Sequence, residues 1–241
     1  MYNLLMGDCL ELMGNIQDKS IDMILCDLPY GITAPEWDSI LDMNILWGHY
    51  ERIRKNNCPV VLFSSQPFTT KLISSNMNNF KYCWYWEKNK GTNFFHARRM
   101  PMRKIEEICV FYNGKYNPQM SQGHVPLQSS KSRNSGRTYH GNSIVDCKRI
   151  GATDRYPTNI LKYKSVNSHT RLHSAEKPVD LLEYLIRTYT NEGELILDNC
   201  MGSGSTGIAA RNTGRNFIGM EMNREYYDIA EKRLNEEKNV V

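Results

Sequence analysis

Near its C-terminal end the chain of 241 residues carries Asp198-Asn199-Cys200-Met201-Gly202-Ser203-Gly204-Ser205-Thr206-Gly207. This G-x-G-x-x-G lies between an apolar strand candidate, 194–198, and helical spacing over 205–212. In that setting glycines let a ligand approach the backbone at the end of a parallel strand. Glu221 ends the next strand candidate, 216–221, where its carboxylate can accept hydrogen bonds from ribose hydroxyls. Residue 208 is Ile rather than Lys, which excludes a Walker A phosphate loop. About 20 residues follow the second strand, too few for further βα units. The sheet must therefore be completed by strands from residues 1–112, so the nucleotide-binding half comes last.

That N-terminal stretch alternates strand and helix signals. Asn3–Met6, Ile21–Cys26 and Val60–Ser64 are short apolar runs bounded by polar residues or proline. Ile40–Arg54 and Gln66–Met77 read as helices, and 82–86 and 105–112 as further strands. After Lys177-Pro178, helical spacing resumes over 179–189, and Asn223 caps a last helix with Tyr226, Tyr227, Ala230 and Leu234 on one stripe. The implied fold class is α/β, a doubly wound, Rossmann-like sheet in permuted order.

The middle of the chain is different. From 113 to 171 only 15 of 59 residues are apolar, with 10 basic and 2 acidic residues, too few apolar groups for a core of its own. The wider span 88–177 carries 17 Lys+Arg against 5 Asp+Glu, while the chain as a whole is only +4. Such segregation points to a polyanion-binding face. Its densest cluster, Arg98, Arg99, Arg103 and Lys104, follows Phe94-Phe95, so cations for phosphates stand beside aromatics that can wedge or stack. Lys88, Lys90, Lys131, Arg133 and Arg137 complete the candidate nucleic-acid contacts. The reading is 1–112 as one half of a domain, 113–171 as an irregular insertion, and 172–241 as the other half.

The nicotinamide reading is disfavoured by the order, since such domains begin with the glycine unit. The order suits S-adenosylmethionine, with Asp198 near the methionine end and Glu221 at the ribose. Asp27-Leu28-Pro29-Tyr30 follows the apolar strand that ends at Cys26, which puts a carboxylate at the ligand crevice of an open α/β sheet. Asp27 and a neighbouring carbonyl can both accept hydrogen bonds from one amino group, and Tyr30 offers a stacking face.

Taken with Gly7-Asp8, Trp86–Gly91, Tyr116–Met120, His173–Pro178 and Phe217–Glu221, these motifs resemble the DNA amino-methyltransferases of the β group. The likeness spans nearly the whole chain and is similar to small phage- and prophage-borne adenine methyltransferases. It departs at Leu28, where the family commonly has Pro, and at Asn199-Cys200, where it commonly has Pro-Phe. The resemblance implies transfer of a methyl group to adenine N6 in double-stranded DNA after base flipping, with cytosine N4 as the alternative. A DNA-binding subunit of the same fold without turnover is a more distant one. Asp27, Pro29 and Tyr30 would be catalytic. Asp8, Asp27, Lys177, Asp198, Gly202, Ser203, Gly204 and Glu221 would hold S-adenosylmethionine, and 113–171 would recognise the target. Asp at the first catalytic position leans to adenine, because cytosine-N4 members more often carry Ser there.

Seven dispersed cysteines without a Cys-x-x-Cys pair argue against both a disulfide framework and a thiolate zinc site. The irregular histidines offer no metal motif, so no metal is expected. The longest apolar runs are far below a membrane span, and residues 1–8 lack a signal-peptide pattern. A reduced, cytoplasmic protein of a prokaryote or phage-infected cell is the expectation. A homodimer and a cognate restriction enzyme stay open as partners.

Overall fold

A computed structural model describes residues 1–31, 41–127, 151–167, 169–173 and 175–236. It contains two compact units, Met1–Asn117 with Asn159–Val241, and Pro118–Thr158. The larger unit holds β1 (Tyr2–Met6), α1 (Cys9–Leu12), β2 (Met23–Asp27), α2 (Met43–Ile53), β3 (Val60–Ser64) and α3 (Phe68–Ser75). These are followed by β4 (Phe80–Thr92), β5 (Arg103–Phe111), β6 (Ile160–Lys162), α4 (Val179–Tyr189), β7 (Leu195–Asp198), α5 (Ser205–Asn212), β8 (Asn216–Glu221) and α6 (Arg224–Asn235).

The eight strands form one sheet in the order β1-β8-β7-β2-β3-β5-β4-β6. β1, β8, β7, β2 and β3 run parallel, β5 is antiparallel to both β3 and β4, and β6 is parallel to β4. The apolar runs of β2 and β3 are continuous because both of their faces are covered, as expected for inner parallel strands. Alternate residues divide between two cores. Ile24, Cys26, Val60 and Leu62 pack with Leu46 and Tyr50 of α2 on one face. Met23, Leu25, Val61 and Phe63 pack with Leu181 and Leu185 of α4 and Ala209 of α5 on the other.

This layering fixes where a ligand can bind. From β7 the chain crosses to β8 through α5 on one face, and from β2 to β3 through α2 on the opposite face. The two connections diverge between β7 and β2, opening a crevice at the carboxyl ends of these strands. Asp198 ends β7 and Asp27 ends β2, so both carboxylates stand at that crevice.

Elements expected from the sequence are present with small shifts in their ends. β4 is far longer than 82–86, running 13 residues to Thr92, because it pairs with β5 over most of its length. β6 lies inside the span read as irregular: Ile160–Lys162 pairs with Tyr85–Glu87 and buries Leu161. In the described part of the smaller unit, Ser121 and Arg155 bridge and the Arg155 guanidinium gathers the carbonyls of Val125, Ala152 and Asp154. No helix among the described residues is long and apolar enough to cross a membrane.

Candidate active site

The crevice opens into a cavity of about 480 Å³ lined from one end by Asp8, Asp198, Met201, Gly202, Ser203 and Glu221 and from the other by Asp27, Pro29, Tyr30, Trp86, Glu106 and Lys177. At the first end the glycine loop turns through positive φ at Gly202 (52°) and Gly204 (81°), which glycine adopts without a Cβ penalty. The two glycines serve different neighbours. A Cβ on Gly202 would stand 3.5 Å from the His173 ring, which borders the same cavity. A Cβ on Gly204 would come within 2.9 Å of the Ala230 Cβ, so this position lets α5 and α6 pack closely and does not line the cavity.

Glu221 secures the loop. One carboxylate oxygen accepts the Gly202 N–H at 2.9 Å and the other the Asn223 N–H at 2.8 Å. Burial raises its pKa despite those bonds. Asp8 caps α1, accepting the Leu10 N–H at 2.8 Å. Ser203 is buried and held by Arg233, which donates to its carbonyl at 2.7 Å and to its Oγ at 3.1 Å. Asp198 is 3% exposed and accepts the Cys200 N–H at 3.1 Å. Burial pushes its carboxyl up to about 6, against hydrogen bonds from Thr206, Cys200 and Cys26. Among the described residues no Lys or Arg pairs with it.

The second end is a closed network. Tyr30 donates its hydroxyl to Asp27 Oδ1 at 2.7 Å and to Glu106 Oε1 at 3.2 Å, while its ring stacks on Phe68 with centroids 5.2 Å apart. Lys177 Nζ lies 2.5 Å from Asp27 Oδ2 and 3.1 Å from Glu106 Oε1. Lys88 Nζ lies 2.6 Å from Glu106 Oε2 and over the Trp86 ring. Burial raises the Asp27 carboxyl against the pull of Lys177, and the Glu106 charge adds to the rise. Burial likewise opposes the Lys177 ammonium, but Asp27 and Glu106 outweigh it and hold its pKa above the ordinary range. Glu106 is held below the carboxylate range because Lys177 and Lys88 overcome its burial. Two carboxylates and two ammoniums thus neutralise one another inside the wall.

The residues singled out from sequence separate accordingly. Asp8, Asp27, Pro29, Tyr30, Lys177, Asp198, Gly202, Ser203 and Glu221 border one cavity. Gly204 stands behind it against α6. Lys88, read as a phosphate contact, is turned inward onto Glu106. Lys90, Arg98, Arg99 and Arg103 are exposed around the β4–β5 connection, and Lys131, Arg133 and Arg137 lie outside the described residues. Glu106 is the residue that the sequence leaves unassigned. Its only signal is parity: it shares a strand face with buried Ile108 and Val110, where a carboxylate needs a cation. Among the described residues there is no group of three or more His, Cys, Asp or Glu placed to hold a metal ion.

With this geometry in hand, the sequence profile of the N6/N4 DNA methylase family matches residues 21–232. The chain belongs to that family. A Type II methyltransferase, M2.DpnII of Streptococcus pneumoniae, is 46% identical over 97% of this chain and 90% of its own. The fold is that of M1.HpyAVI crystallised with SAM, at a TM-score of 0.63 and 23% identity, covering 97% of this methylase and all of that chain. It is also that of the cytosine-N4-specific PvuII DNA methyltransferase, at a TM-score of 0.70 and 16% identity, covering 100% of this methylase and 90% of that chain.

S-adenosylmethionine is the methyl donor of this family, and the residues present fit it. The donor carries a sulfonium and an ammonium, and the glycine-loop end of the cavity presents Asp8, Asp198 and Glu221. Asp198 in particular is a buried carboxylate that lacks a cation of its own among the described residues, which suits a cationic ligand.

Proposed function

We propose that this methylase transfers a methyl group to the N6 amino group of adenine in double-stranded DNA. The observation that carries the reading is the placement of Asp27, Pro29 and Tyr30 in one cavity with the Asp198–Ser203 loop. Asp rather than Ser at position 27 supports adenine over cytosine N4, by likeness to the family's pattern. The 46%-identical relative, a Type II methyltransferase, supports a modification role beside a cognate restriction enzyme. The basic span supports DNA as the polyanion, with 113–171 as the target-recognising segment and Lys90, Arg98, Arg99 and Arg103 on phosphates. A homodimer and a cytoplasmic location accord with this role.

An amine stacked inside a duplex cannot reach a donor held in the cavity, so the target base is extruded, at a few kcal/mol of unstacking. Bound S-adenosylmethionine supplies a sulfonium-activated methyl group. Gly202 and Ser203 hold it by close backbone approach, Glu221 at the ribose, Asp8 at the adenine, and Asp198 and Lys177 toward the methionine end. Asp27 and the Pro29 carbonyl accept the two amino hydrogens, which fixes the direction of the nitrogen lone pair. Tyr30, backed by Phe68, stacks on the extruded base. Positioning of this kind accounts for much of the acceleration in a direct displacement.

Asp27 does not wait with empty oxygens: Tyr30 holds one and Lys177 the other. Both donors have a second acceptor in Glu106. When the target amine binds, Tyr30 and Lys177 shift their hydrogen bonds to Glu106 and free Asp27 for the amine.

The test is incubation of the protein with unmethylated duplex DNA and S-adenosylmethionine, followed by mass spectrometry of the digested nucleosides. N6-methyladenine is expected, and its loss in Asp27→Ala with donor binding retained assigns the acceptor. N4-methylcytosine would overturn the base, and no modified nucleoside on DNA of varied sequence would overturn the activity.

A further inference from the structure

The β4–β5 pair does more than complete the sheet. Its inner end lines the cavity through Trp86, Lys88, Thr92 and Glu106. Its strands part after Thr92 and rejoin at Arg103, so the connection 93–102 springs from the cavity wall. The connection opens with Asn93 at φ 70° and makes one tight helical turn over Phe94–His96. That turn presents Phe94 at 74% exposure and Phe95 at 98%.

A fully exposed phenylalanine is unfavourable in water and points to a ligand surface when its surroundings are specific. Here they are specific in charge. Lys90, Arg98, Arg99 and Arg103 are exposed around the turn, Lys104 beside them pairs with Glu87 at 2.7 Å, and no acidic residue occurs between Lys88 and Ile105. A protein partner of ordinary mixed charge would not match this patch, and a second copy would bring like charge against it. A polyphosphate with stacked apolar rings in its interior matches both halves.

We propose that the 93–102 knuckle engages duplex DNA at the step from which the target base is extruded, with Phe95 entering the gap in the stack. Arg98, Arg99 and Arg103 sit on the flanking phosphates. This rests on the base-extruding methyltransferase reading above and adds a partner for the hole that extrusion leaves. Inserting apolar side chains between base steps is a known way to hold an opened duplex. The site fits because the turn begins two residues beyond Thr92, at the rim of the cavity that would receive the base.

The experiment compares wild type, Phe95→Ala and Phe95→Trp in single-turnover methyl transfer. Two duplexes are used, one fully paired and one with an abasic site opposite the target, where the base is already unpaired. Phe95→Ala is expected to lose about 5- to 160-fold on the paired duplex, the scale of one aromatic–base stack. The loss should shrink at least several-fold on the abasic duplex, Phe95→Trp should stay near wild type, and donor affinity by calorimetry should not move. An equal loss on both duplexes, or none on the paired one, overturns the wedge while leaving the methyltransferase reading intact. A wild-type protein that methylates neither duplex overturns both. An unchanged rate with a shift from dimer to monomer in sedimentation gives the face to a second copy instead.

Discussion

Replacing Asp198 by Asn should stabilise the cofactor-free protein at neutral and alkaline pH while impairing its hold on the donor. Asp198 is 3% exposed, and its carboxyl in the fold is raised from 3.8 to about 6, chiefly by burial. A folded-state pKa above the unfolded one means that the fold favours the protonated form. The stability from that proton is fully present below about pH 3.8 and is lost as pH rises through about 6. Above pH 7 the ionised Asp198 therefore costs about 3 kcal/mol relative to its neutral form. Asn keeps the shape and the acceptor for the Cys200 N–H but carries no charge at any pH. Urea denaturation of both proteins from pH 4 to pH 8 isolates the effect, because the titrating groups that do not interact with Asp198 cancel in the difference. The variant should match wild type near pH 4 and exceed it by about 3 kcal/mol at pH 8. Donor affinity by calorimetry should strengthen in wild type as pH rises through 6, because a cationic ligand favours the ionised carboxylate. It should be weaker and flat in Asp198→Asn. A stability difference that does not vary with pH refutes the argument.

Glu106→Leu leaves Lys88 and Lys177 short of a buried partner, which typically costs about 3–5 kcal/mol. It also lets Lys177 settle on Asp27 alone, so turnover should fall further than donor affinity does; urea unfolding and single-turnover rates check the two halves. Gly204→Val places a Cβ at φ 81° and 2.9 Å from the Ala230 Cβ, for a cost of about 2–4 kcal/mol. Gly202→Ala has the His173 ring as its nearest neighbour, at 3.5 Å, and should cost about 1–2 kcal/mol, so the reverse ranking in denaturation would contradict the packing argument.

What the sequence made legible and what it hid follow from how far each signal reaches along the chain. The inner strands were readable because two-sided burial writes an unbroken apolar run, as in Val60–Phe63. The glycine loop was readable because positive φ at Gly202 and Gly204 demands glycine whatever the ligand. Its reason was only half readable, since the contact that requires Gly204 is with Ala230, 26 residues away. α1 is not legible because four residues show no period, so the sequence offers Asp8 as a cofactor contact without showing that it also caps that helix. β6 was missed because three residues in a polar stretch become a strand only against Tyr85–Glu87. Glu106, Lys88 and Lys177 each resemble a surface charge in isolation. Their placement makes sense only as one network, in which Lys88 and Lys177 pair with Glu106 and Lys177 also pairs with Asp27, and no window of sequence contains them together.

The charges of the site divide into three zones, and that division argues for the ligands more strongly than any single residue does. The glycine-loop end presents Asp8, Asp198 and Glu221, and a pyrophosphate placed there would face three carboxylates. The loop that cradles phosphate in other α/β proteins thus favours a cation in this one. The catalytic end pairs Asp27 and Glu106 with Lys88 and Lys177, so its wall is neutral as a whole and suits an uncharged base. The connection beyond Thr92 carries basic charges and no acidic one, and suits phosphates. A cationic donor, a neutral acceptor and an anionic backbone are the three charges that methylation of a DNA base requires at one site. Exchanging the acidic and the basic zones would set both charged ligands against like charge, as a basic loop end would for the sulfonium.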